Sequence, residues 1–181
     1  MSKYSKSNGI VIVYTGRGKG KTTAALGLAL RAIGYDWKIC MIQFIKGTWI
    51  TGELDSVKLL SSNFEIIRAG EGFIGIIDDT KQKKIHKESA INALRISKNK
   101  IDSGLYNIVI LDEINYALSL RLIKLKDILE IIKSRPRNVT LVLTGDHAHK
   151  RIIEIANLVT EMKEIKHPYR NRSVALKGID F

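Results

Sequence analysis

Residues 9 to 26 read Gly-Ile-Val-Ile-Val-Tyr-Thr-Gly-Arg-Gly-Lys-Gly-Lys-Thr-Thr-Ala-Ala-Leu. An apolar run from Ile10 to Val13 leads into a loop carrying Gly16, Gly18 and Gly20, and Lys21, Thr22 and Thr23 then open an Ala- and Leu-rich stretch. The order predicts strand, glycine loop, helix, which is the context that gives a Walker A pattern its mechanism. Without Cβ atoms in the way, successive backbone N–H groups turn inward onto phosphate oxygens. The helix start adds N–H donors and partial positive charge. Lys21 supplies a point charge for the outer phosphates, and Thr22 a hydroxyl for Mg²⁺. Counting back from Gly20 puts Thr15 where the pattern has its first glycine, and Gly16 serves that turn one place later. Thr15, Gly16, Arg17, Gly18, Lys19, Gly20, Lys21, Thr22 and Thr23 are therefore the candidate nucleotide-binding residues.

A second motif completes this site. Ile108-Val-Ile-Leu-Asp112-Glu113 is an apolar run that delivers two acids to its tip, a Walker B pattern. Carboxylates beside a triphosphate need a cation between them. Thr22 with Asp112 or Glu113 is the expected Mg²⁺ set, and the sequence leaves open which acid touches the ion. Spacing alone does not say which bond of the nucleotide breaks.

The rest of the chain repeats the alternation. Strands are expected at 10–14, 38–44, 64–68, 107–111, 139–144 and 158–165. Helices are expected at 21–33, where Gly34 ends the first, and at 79–102, 114–120, 124–134 and 148–157. Within 79–102, Ala90, Ala93, Leu94, Ser97 and Ile101 share one face, and Leu125, Ile128, Leu129 and Ile132 form a second apolar stripe. This is the pattern of a P-loop NTPase fold of RecA-like type: three α/β/α layers around a mostly parallel sheet. Ligands bind beyond the carboxyl ends of such strands. The loops at Gly16, Gly70, Asp112-Glu113 and Gly145-Asp146 should thus meet on one rim. Residues 1–8 read as a mobile tail and 9–181 as one domain.

Thirty Lys and Arg against eighteen Asp and Glu leave a formal charge of +12, which attracts polyanions or an acidic protein. The lysines are spread along the chain without interleaved aromatics, so nucleic-acid binding is not expected. No apolar run approaches a membrane span, and the polar start lacks a secretion signal. The single cysteine, Cys40, suits a reducing cytoplasm and a buried thiol. His147 and His149 lack a third ligand and read as surface or capping residues.

Several stretches together resemble the P-loop type of ATP:corrinoid adenosyltransferase. They are residues 14–25, Gln-Phe-Ile-Lys-Gly-Thr-Trp-Ile-Thr-Gly-Glu (43–53), Gly-Glu-Gly-Phe (70–73) and Leu-Asp-Glu-Ile-Asn-Tyr-Ala-Leu (111–118). Leu-Val-Thr-Glu-Met (158–162), Lys-His-Pro (166–168) and the final Gly-Ile-Asp-Phe complete the set. The resemblance implies transfer of the 5′-deoxyadenosyl group of ATP to the cobalt of a reduced corrinoid, with release of triphosphate. It makes Lys21, Phe73 and Glu113 the candidate catalytic residues and Phe73 a corrinoid contact; Trp49, in a loop at the rim, reads as a corrinoid or nucleotide contact or as packing. Phe73 would exclude the lower axial ligand from cobalt and so ease reduction to Co(I). The family commonly continues with Thr-Trp after that phenylalanine, whereas this chain has Ile74-Gly75; cover of the lower cobalt face would then fall to Trp49, Ile74, Ile76 or a rearranged loop. The resemblance also implies a homodimer, and the positive surface suits an acidic flavoprotein as electron donor. A RecA-like ATPase acting on nucleic acid and a small-molecule P-loop kinase are the alternative readings of the Walker motifs.

Overall fold

The computed structural model describes residues 8–47, 50–60, 62–72, 82–168 and 174–181. Twelve elements follow one another along them, strand and helix alternating except for one pair of consecutive helices. They are β1 (Val11–Thr15), α1 (Lys21–Ile33), β2 (Ile39–Gln43), α2 (Glu53–Leu60), β3 (Phe64–Arg68) and α3 (Lys83–Asp102). β4 (Ile108–Asp112), α4 (Ile114–Ser119), α5 (Leu125–Ser134), β5 (Thr140–Thr144), α6 (Lys150–Ile155) and β6 (Leu158–Glu161) follow. The strands form one sheet in the order β3-β2-β4-β5-β1-β6, and every pairing is parallel.

Side chains alternate across each strand, so the two faces build two cores. Ile12, Ile39, Met41, Ile108, Ile110 and Val142 point to one face and pack under α1. That helix offers Ala25, Ala29 and Ala32, all buried; their small size lets its backbone lie close on the sheet. Cys40, Ile42, Val109, Leu111, Leu141 and Leu143 point the other way. There α3 covers them with Ala90, Ala93, Leu94, Ser97 and Ile101, and α5 with Ile128, Leu129, Ile131 and Ile132. Each large aliphatic side chain so enclosed contributes about 1.5–3 kcal/mol. The central strands β2, β4 and β5 are buried on both faces, which is why they are almost wholly apolar. The edge strand β6 is exposed throughout.

The expected elements are present, with small shifts at their ends. The helix expected from residue 79 begins at Lys83, because Gln82 before it is extended (φ −67°, ψ 143°); residues 79–81 lie outside the described residues. The chain leaves α1 differently from the expected glycine stop. Gly34 keeps a right-handed conformation (φ −60°), and the left-handed turn falls two residues later at Asp36 (φ 60°). The strand expected at 158–165 ends at Glu161, because the chain then turns under the glycine loop of β1.

Because all strands run the same way, their carboxyl ends share one rim, and the loops after them meet there. The backbone N–H of Gly70 donates to Gln43 O at 3.0 Å, and that of Gly72 to Ile45 O at 2.9 Å. On the other side, Ala148 N–H donates to Thr15 Oγ1 at 3.1 Å.

Candidate active site

The glycine loop is shaped by what lies behind it. Gly18 N–H donates to Met162 O at 2.7 Å, and Met162 N–H to Thr15 O at 2.8 Å. A Cβ on Gly16 would stand 2.4 Å from Met162 O, and Gly16 has φ +95°. A Cβ on Gly18 would meet the backbone of Lys163 at 2.8 Å. Both glycines are thus required by the close approach of residues 162–163. Thr15 is committed to the same framework through its carbonyl and hydroxyl. The expected phosphate-binding residues therefore divide into two groups. Thr15, Gly16 and Gly18 form the back of the loop. Lys19, Gly20, Lys21, Thr22 and Thr23 line a cavity of about 660 Å³ at its front. Arg17 is exposed.

Lys21 reaches back over the loop, donating to Gly16 O and Gly18 O, each at 2.8 Å. Thr22 Oγ1 donates to Asp112 Oδ1 at 2.9 Å, and Thr144 Oγ1 donates to the same oxygen at 2.7 Å. Thr144 Oγ1 in turn accepts from Glu113 N–H at 2.9 Å. Two strand ends and a helix start are laced together this way: β4 through Asp112, β5 through Thr144 and the first turn of α1 through Thr22. Asp112 is fully buried and its Oδ2 has no hydrogen-bond partner. Lys46 Nζ lies 3.5 Å from that oxygen, an ion pair beyond hydrogen-bond length.

Glu113 follows in a left-handed conformation (φ 63°) that turns its carboxylate to the cavity wall. Gly145, with φ +118°, lies against the start of α4: a Cβ there would stand 2.8 Å from Tyr116 N and 3.2 Å from Glu113 Oε2. Burial, reinforced by the charge of Asp112, pushes the Glu113 carboxyl up to about 7, against the opposing pull of Lys21 and Lys46. Lys46 shows the reverse balance. Burial works against its charge, yet Asp112 and Glu53 outweigh that and hold its ammonium above its ordinary pKa.

A hard cation fits this corner. Thr22 and Glu113 both line the cavity, and the buried Asp112, whose Oδ2 has no hydrogen bond, holds the Thr22 hydroxyl through Oδ1. Among the described residues no three His, Cys, Asp or Glu side chains cluster as a self-sufficient metal site. Remaining oxygens would have to come from phosphate, as Mg²⁺ usually takes them.

Phe73, the expected corrinoid contact, and Trp49 lie outside the described residues, as do Ile74, Gly75 and Ile76. His149 Nδ1 accepts from Arg151 N–H at 3.2 Å and caps α6, and His147 pairs with Asp146 at 3.0 Å. Two residues at the site escape sequence reasoning, Lys46 and Thr144. Lys46 is one of many lysines in the chain, and Thr144 one more polar residue at a strand end. The only signal near them was Lys46's place in the stretch 43–53.

Fold and site together define a P-loop nucleotide-binding protein. Solved structures of the same fold include a KaiC-like protein from Pyrococcus horikoshii OT3 (TM-score 0.53, 17% identity, 88% of this chain and 75% of that one). Another is the flagellar accessory protein FlaH from Methanocaldococcus jannaschii (TM-score 0.57, 13% identity, 86% and 71%). Within this class the chain belongs to the ATP:corrinoid adenosyltransferase BtuR/CobO/CobP family, whose model matches residues 7–181. It is 33% identical to the corrinoid adenosyltransferase of Escherichia coli K12 over 96% of this chain and 86% of that protein. It is 30% identical to corrinoid adenosyltransferase CobA of Salmonella typhimurium over 100% and 90%, and 36% identical to a corrinoid adenosyltransferase of Sinorhizobium over 100% and 84%.

Proposed function

We propose that residues 9–181 act as one catalytic unit that moves the 5′-deoxyadenosyl group of ATP to the cobalt of a reduced corrinoid. The lone pair of Co(I) attacks the ribose C5′, the C5′–O5′ bond breaks, and its electron pair leaves with triphosphate. The nucleophile needs no activation by the protein. The protein's task is to hold C5′ in line with cobalt and to stabilise the departing charge. The observation that carries this reading is the shared cavity of Lys21 and Thr22, with Thr22 tied to the buried Asp112. Lys21 is the ammonium for the leaving phosphates. The backbone at Lys19, Gly20 and Thr23 lines their path.

Mg²⁺ would be held by Thr22 and Glu113 at the cavity wall, with Asp112 acting from beneath through the Thr22 hydroxyl. When bound, it supplies Lewis-acid neutralisation of the triphosphate. Phe73 and Trp49 are the proposed corrinoid contacts, on the strength of the family's motif. Phe73→Ala should impair the reaction that starts from Co(II) and spare pre-reduced corrinoid; equal losses would reject its axial role.

The assay for the reaction is ATP, Mg²⁺ and chemically reduced cobalamin, read by spectrum and phosphorus analysis. Adenosylcobalamin and triphosphate are the expected products, and Lys21→Ala should lose most turnover. ADP and phosphate stimulated by DNA or RNA would instead make the chain a nucleic-acid ATPase, and a phosphorylated metabolite would make it a kinase. We further propose an acidic flavoprotein as electron donor, from the charge of +12; rates insensitive to salt would refute it. A homodimer is proposed from the family resemblance, with light scattering as its check. Cytoplasmic residence is proposed from the buried free thiol of Cys40. No described helix is long and apolar enough to cross a membrane.

A further inference from the structure

Lys46 leaves β2 in the loop after Gln43 and reaches the wall of the cavity that Lys21 and Thr22 line. Its ammonium donates to Glu53 Oε1 at 3.0 Å, and Gln43 Nε2 donates to the same oxygen at 3.1 Å. The Lys46 and Glu53 side chains are only 16% and 13% exposed. An ammonium carries three donors. Among the described residues, the bond to Glu53 is the one hydrogen bond Lys46 makes, since its 3.5 Å approach to Asp112 Oδ2 is too long. Enclosing a charge this far is costly, and an ion pair alone seldom offsets the lost hydration. The expense is accounted for when the remaining donors meet an anion in the cavity. No side chain of α2 is fully buried, and Val57 packs only partly against the core, so the Glu53 bonds help fasten the helix's first residue to the rim.

We propose that Lys46 is a second ammonium of the leaving-group site, facing the triphosphate together with Lys21, and that Glu53 is its positioning residue. This rests on the adenosyl-transfer reading of the cavity. When the C5′–O5′ bond breaks, the triphosphate gains one negative charge, and a cation fixed beside it binds the transition state more tightly than ATP. The simpler role for Lys46 is to balance the buried charge of Asp112, and the two roles separate by experiment.

The probe is inorganic tripolyphosphate, titrated calorimetrically into the full chain in the presence of EDTA. Lys46→Met should weaken binding about tenfold or more, as loss of a charge-assisted hydrogen bond does. Lys46→Arg should retain most of the affinity. The comparison is repeated in an Asp112→Asn background, where the Asp112 charge no longer needs balancing, and urea unfolding checks that each variant is folded. A loss of the same size there supports direct contact. Unchanged affinity on Lys46→Met, or a loss that vanishes with Asp112→Asn, overturns it. If the unaltered protein does not bind tripolyphosphate and Lys21→Ala changes nothing, the reading of the whole cavity fails, a result distinct from failure of Lys46 alone. For Glu53, the readout is kcat with pre-reduced corrinoid. Glu53→Gln should lower it in the unaltered protein and add nothing to Lys46→Met; an equal loss in both would remove its positioning role.

Discussion

Thr22 Oγ1 donates to Asp112 Oδ1 across 2.9 Å and ninety residues of sequence. That bond joins the glycine loop to the acidic strand end and fixes where a cation and a triphosphate can sit. Thr22→Val keeps the shape and removes the hydroxyl. It should lower kcat/KM at least about tenfold, since a buried carboxylate oxygen loses a donor and the metal corner loses a ligand. Thr22→Ser should retain most activity. Equal activity of the valine and threonine forms would remove this bond from the mechanism.

The glycine loop should respond to small changes according to what stands behind it. At Gly16 an added methyl would sit 2.4 Å from Met162 O on a backbone with φ +95°. Gly16→Ala should therefore cost about 1–3 kcal/mol or more in urea unfolding. Gly27, in the middle of α1, has nothing within 4 Å of an added Cβ. Gly27→Ala should raise stability by up to about 1 kcal/mol through helix propensity. Similar behaviour of the two variants would contradict the packing of residues 162–163 against the loop.

Lys19 forms an ion pair with Asp180, and the last residues, Gly178 to Phe181, line the same cavity as the loop. Asp180 is held in turn, accepting from Leu176 N–H at 2.7 Å. Lys19 is 47% exposed, so the pair is modest in energy. Asp180→Asn should raise KM for ATP severalfold and leave kcat nearly unchanged, because Lys19 is steered rather than removed. An unchanged KM in steady-state kinetics would count against that steering.

The Glu113 carboxyl, raised by burial and by Asp112 to about 7, binds a proton more tightly folded than unfolded. In metal-free protein its contribution to stability is therefore present below the ordinary carboxylate pKa and is lost as pH rises through about 7. Glu113→Gln should remove this part of the decline, a few kcal/mol at most between pH 4.5 and pH 7. Parallel stability curves for the two proteins would show that Glu113 is not held as described.

Cys40 lies on β2 with no exposed surface, and burial together with the neighbouring Glu65 pushes its thiol far above its usual pKa. Native protein at pH 8 should react with a thiol reagent only at the rate of unfolding, and urea should expose one thiol. Rapid labelling of the folded chain would contradict the packing of β2 against α3.

Much of this was readable from the residues because the central strands are apolar on both faces and the helices carry single apolar stripes. The run Ile108 to Leu111 ending in Asp112 announces both a buried strand and a site. What local patterns do not contain is lateral order. β5 lies between β1 and β4, so Thr144 becomes the bridge between Thr22 and Asp112, although nothing in Thr140–Thr144 marks that threonine as different from Thr140. Lys46 was hidden for a related reason. A lysine turned inward looks like any other until Glu53, Gln43 and Asp112 are seen around it. Gly34 shows the limit of a residue-type rule. α1 stops at the expected place, but the left-handed step is made by Asp36.

The central claim concerns which bond of ATP breaks. ATP labelled with oxygen-18 at the 5′ bridging position, incubated with Mg²⁺ and reduced cobalamin, separates the possibilities by mass spectrometry of the products. Attack at C5′ predicts that the label departs in intact triphosphate while adenosylcobalamin forms without it. Label retained in the nucleoside product, or found in AMP or ADP without a carbon–cobalt bond, would contradict the account.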